Sequence, residues 1–170
     1  MKRWIMPIGI LLCVYFDSIF FAKLNFAGIR PDVMLAFVVS FSILEGPITG
    51  ALLGAAGGLL MDVLFGRALG VYAAIYLMTA VGAGIFYGKF YADNVIVPAA
   101  TAVVLGIGKD LLLALMMLAA GVTYSFPRML VHYILPSALL TGAACLLIHM
   151  LLKPMVARQV ARRRAERLAR

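Results

Sequence analysis

The chain has 170 residues, of which 65% are hydrophobic and 13% charged, with a net charge of +8 and a mean hydropathy of +1.06. Soluble domains are about half apolar and about a quarter charged, so this much apolar surface cannot be hidden inside one small globule. Lipid must act as solvent, and the composition predicts an all-α integral membrane protein.

A spanning helix needs about 20 mostly apolar residues. Six segments answer to this, at 4–22, 32–45, 48–65, 69–88, 94–120 and 129–152, making a six-helix transmembrane domain over 1–152 and a basic cytoplasmic tail over 153–170. The first follows Lys2-Arg3 like a signal peptide, but "FAKLNFAG" offers no small-residue cleavage site, so it reads as an uncleaved anchor. Asp17 within it could line a cavity, but is more often satisfied by a backbone carbonyl or an interface water. Pro31-Asp32 opens the second segment, and a carboxylate in a first turn complements the helix dipole. Gly46-Pro47 then reads as a tight hairpin, because proline fits a first helical turn and breaks an interior.

Breaker residues mark the later joints: Gly66 before Gly70, Asp93-Asn94, and Pro127. Cys13 and Cys145 fall inside apolar runs and read as small hydrophobes. His132 and His149 in the last segment lie about 25 Å apart along a helix axis, too far to share a metal. Trp4, Tyr72, Tyr76, Tyr87, Tyr91 and Tyr124 are assigned to an aromatic belt at the membrane interfaces.

Six spans put both termini on one side. That side holds Lys2, Arg3, Lys89, Lys153 and the tail arginines, whereas the other holds only Lys23, Arg30, Arg67 and Arg128. Basic residues accumulate on the cytoplasmic side, so both termini are expected there. The tail residues Arg158, Arg162, Arg163, Arg164, Arg167 and Arg170 have no aromatics interleaved for base stacking. They point to anionic lipid head groups or a cytoplasmic partner, and not to nucleic acid.

The stretch "GALLGAAGGLLMDVLFGRALG" carries a glycine ladder, Gly50, Gly54 and Gly58, whose next step is Asp62. Residues four apart share a helix face, and small residues let helix backbones approach closely in lipid. Span four offers a matching run in Ala80, Gly84 and Gly88, so spans three and four, or three and another, are expected to pack through these faces. Asp62 falls near the outer end of its span, with Arg67 as its partner by depth. Lys109 in span five is a second candidate, lying deeper, while Asp110 beside it is expected to face another way because neighbours point about 100° apart. Two readings follow for Asp62, Lys109 and Asp110: a polar clamp fixing helix packing, which is favoured, or a proton or ion relay.

No phosphate-cradling loop, zinc spacing or nucleophile–histidine arrangement is found, and the longest loop spans only about ten residues. No enzyme activity and no cofactor are expected. Hydrogen-bonding side chains that could line a ligand pocket, Asn25, Thr49, Thr79 and Asn94, are scattered.

Residues 30–77, from "RPDVMLAF" through the Gly-Pro break and the glycine ladder to Asp62, Gly70 and Tyr72, resemble the MreD family of bacterial rod shape-determining membrane proteins. The resemblance implies a non-enzymatic subunit of the peptidoglycan elongation machinery. Such a subunit binds MreC and, through it, acts with MreB filaments, RodA and a class B penicillin-binding protein. The family is also similar to the substrate-binding subunits of energy-coupling-factor transporters, which share a six-helix plan. A vitamin-type transporter subunit is therefore the alternative.

Overall fold

A computed structural model describes residues 2–20, 30–65, 69–87, 95–121 and 126–168, with side chains placed for 6–18, 30–65, 69–87, 95–121 and 128–154. The described residues are helical, with no strand among them. Helix α1 (Lys2–Tyr15) runs on into a π-helical turn at Phe16–Phe20. It is followed by α2 (Val33–Glu45), α3 (Pro47–Phe65), α4 (Val71–Gly84) and α5 (Ile96–Ala119). A single turn, α6 (Phe126–Met129), leads through a second π-helical turn at Leu130–Ile134 into α7 (Leu135–Leu168).

Among the described residues, three stretches are long and apolar enough to cross a membrane: Pro47–Phe65, Ile96–Ala119 and Leu130–Pro154. The other three apolar helices, Met6–Ser18, Val33–Glu45 and Val71–Gly84, are shorter. At 1.5 Å per residue α2 is about 20 Å long, well short of a hydrocarbon core of about 30 Å. A helix this short in a membrane bundle leaves end groups that need partners from the protein wherever water is excluded.

The sequence of α2 explains why it can stand there. It is apolar on every side, and every residue from Val33 to Ile43 is buried. A helix hydrophobic all round belongs in the middle of a bundle, and α2 packs against α1, α3, α4, α5 and α7. Asp32 caps its first turn, taking the Leu35 amide at 2.7 Å. Gly46 ends it at a positive φ of 102°, and α3 starts at the next residue with Pro47. The break is thus a single residue, set by a glycine that alone tolerates this conformation easily.

Helices α3 and α4 pair antiparallel along the glycine ladder. A Cβ at Gly58 would lie 2.5 Å from the Cα of Ala73, and one at Gly54 would lie 2.6 Å from the carbonyl oxygen of Tyr76. Gly84, at the other end of α4, abuts Pro47. Gly50 turns away from this seam toward Ser42 of α2, while Ser42 donates its hydroxyl to the carbonyl of Ala80 at 2.5 Å. The ladder therefore serves two partners, because a four-residue step drifts around the helix. Gly88 lies outside the described residues.

The last helix runs across the boundary expected between domain and tail. Helix α7 does not stop at 152 but continues through Pro154 to Leu168. Arg158, Arg162, Arg163, Arg164 and Arg167 thus lie on helical backbone, with side chains outside those described, and Arg170 lies outside the described residues. Between α4 and α5 the packing leaves an open apolar groove of about 350 Å³, lined by Gly82, Phe86, Val97, Ala100, Val104 and Leu105 among others.

Candidate functional site

One set of buried polar residues gathers at the N-terminus of α2. This helix end carries partial positive charge and free amide groups in the bundle interior, and two carboxylates answer it. Asp17, from the π-helical turn after α1, accepts the amides of Val33 at 2.9 Å and Met34 at 3.0 Å, one on each oxygen. Asp32 accepts the Leu35 amide on Oδ1. Its Oδ2 receives the Tyr76 hydroxyl of α4 at 2.9 Å and the Lys109 ammonium of α5 at 2.6 Å.

Helix α7 completes the ring. The Asp32 amide donates to Thr141 Oγ1 at 2.9 Å, the Thr141 hydroxyl donates to the carbonyl of Ser137, and the Ser137 hydroxyl donates to the carbonyl of Arg30 at 2.8 Å. Side chains from α1, α4, α5 and α7 thus converge on one helix end. Lys109 also lies 3.1 Å from Asp110 Oδ1. Asp32, Lys109 and Asp110 are 9%, 8% and 6% exposed, so this is a buried ionic network.

Asp62 works in the same way one hairpin later. It is 2% exposed and accepts three amides at the start of α4: Gly70 and Ala73 on Oδ2, each at 3.0 Å, and Tyr72 on Oδ1 at 2.9 Å. Gly70 adopts a positive φ of 97°, which turns the chain so that these amides point back at Asp62. Asp17, Asp62 and Asp110 each lie about four helical turns after the start of their helix, at Lys2, Pro47 and Ile96 respectively. In the first two hairpins the aspartate caps the returning helix. In the third it stands against its neighbour Lys109.

Several expectations change with this geometry. Asp62 faces amide groups rather than Lys109, and Arg67 lies outside the described residues. Lys109 pairs instead with Asp32, a residue read from the sequence only as a local cap. Asp110 does meet Lys109 although the two are adjacent, because the four-carbon lysine stem lets the ammonium swing across the angle between neighbours. Tyr76 is not an interfacial aromatic: it is 2% exposed, and its hydroxyl is spent on Asp32. Asp17 finds its backbone partners, but they are amide donors of α2 rather than a carbonyl.

The remaining polar groups stand apart. His149 is 1% exposed, and its Nδ1 has no hydrogen-bond partner among the described residues, whereas His132 is exposed. Cys145 Sγ lies 3.2 Å from Ser40 Oγ and 3.4 Å from the carbonyl of Pro98, tying α7 to α2 and α5. Among the described residues, no three His, Cys, Asp or Glu side chains gather to hold a metal ion.

Sequence signals for the network were uneven. A carboxylate before an apolar helix marks Asp32 as a cap, and an ionisable residue within a span marks Lys109 and Asp110. Nothing local marks Tyr76, Thr141 or Ser137, which look like ordinary residues of apolar helices.

What the arrangement does chemically is hold helix ends. Asp17, Asp32 and Asp62 together take six backbone amides, and Lys109 supplies the compensating charge. Comparison with known proteins agrees with a membrane protein of this kind. The model of one family, rod shape-determining protein MreD, matches residues 1–157. No match was found among curated proteins or among solved structures. With the match extending over nearly the whole chain, the protein belongs to the MreD family of rod shape-determining membrane proteins.

Proposed function

We propose that this protein is a non-enzymatic subunit of the bacterial cell-elongation machinery. It sits in the cytoplasmic membrane with both termini in the cytoplasm. It binds MreC directly and supports the assembly of MreC with MreB, RodA and a penicillin-binding protein that build peptidoglycan. Family membership over residues 1–157 is the observation that carries this reading. The site adds support, because Asp17, Asp32 and Asp62 are spent on helix N-termini, as expected of a scaffold. The test is co-purification in detergent of the full chain with MreC. Retention is expected. Loss of MreC while both proteins are folded and monodisperse would overturn the reading.

The arginines beyond Pro154 are assigned to anionic lipid on the cytoplasmic side. Replacing Arg158, Arg162, Arg163, Arg164, Arg167 and Arg170 with glutamine should then leave complex assembly intact while weakening binding to vesicles rich in anionic lipid. Lost assembly with unchanged topology would reassign the tail to a protein partner.

A further inference from the structure

We draw no further inference here: the strongest candidate, the open apolar groove between α4 and α5 lined by Gly82, Ala100 and Val104, carries nothing because it faces outward in a membrane-embedded bundle and nothing in the structure shows what covers it.

Discussion

Lys109 and Asp32 lie 77 residues apart in the chain and meet at 2.6 Å in the interior of the bundle. The contact places a lysine from the middle of α5, one of the stretches long enough to span, against the capped end of a helix that is shorter than a span. It explains both oddities together. The short α2 ends where it does because its N-terminal carboxylate finds a cation there, and Lys109 is tolerated within an apolar helix because that carboxylate awaits it. Removing one member of a buried ion pair leaves an uncompensated charge, which costs far more than the pair contributes.

Replacing Lys109 with methionine should therefore destabilise the protein by about 3–5 kcal/mol. Thermal unfolding in detergent, followed by loss of the monodisperse peak, measures this. Adding Asp32→Asn to Lys109→Met should recover part of the loss, because the orphaned charge is removed, with a coupling of about 0.5–3 kcal/mol. Strictly additive losses would mean that the two residues do not interact.

Asp62 accepts three amides, two on one oxygen and one on the other. Asparagine keeps one acceptor oxygen and turns an amide donor toward the third partner, so Asp62→Asn should be milder than Asp62→Ala. Loss of a capping side chain costs about 0.5–2 kcal/mol, and the alanine variant is expected at the upper end. Hydrogen exchange in detergent micelles gives the sharper readout. The Gly70, Tyr72 and Ala73 amides should exchange faster in Asp62→Ala, while those in the middle of α4 keep their protection.

The seam between α3 and α4 separates glycines that packing requires from those it does not. Gly58→Ala places a methyl 2.5 Å from the Ala73 Cα, and backbone cannot swing aside as a side chain can. Overpacking of this kind costs about 1–3 kcal/mol. Gly82→Ala should be neutral or slightly stabilising, since its nearest neighbour would be Leu105 Cδ2 at 3.5 Å and alanine is the better helix former by about 1 kcal/mol. Equal effects of the two substitutions on thermal stability would count against the packed seam.

Tyr76→Phe tests the hydroxyl of the network alone. The ring stays buried and only the bond to Asp32 is lost, so a loss of about 0.5–1.5 kcal/mol is expected. Asp17→Ala should cost more than Tyr76→Phe, because it strips two amides at the start of α2 of their acceptors in the bundle interior. The order of the two variants in a thermal unfolding series decides between a capping aspartate and a peripheral one.

Much of the architecture is written into local sequence. Helices form where apolar residues run on, because lipid leaves the backbone no other way to satisfy its amides. Gly46-Pro47 marks the break between α2 and α3 because glycine accepts a positive φ and proline accepts a first helical turn. The glycine step in α3 announces close helix contact, and Asp32 announces a helix start, since each depends on residues within a turn or two. Beyond that range the sequence is silent on partners. Glycine spacing alone does not say that Gly54 and Gly58 meet α4 while Gly50 meets α2, since the assignment depends on how three helices are arranged around the ladder. Nor does an isolated lysine in an apolar helix say that it will reach past Asp62 to Asp32, or that a tyrosine resembling an interfacial aromatic will be drawn inside to join them. Those choices belong to tertiary structure. Only the packed bundle brings Asp17 and residues of α4, α5 and α7 to the N-terminus of α2, and a charge buried there takes whichever partners the packing delivers.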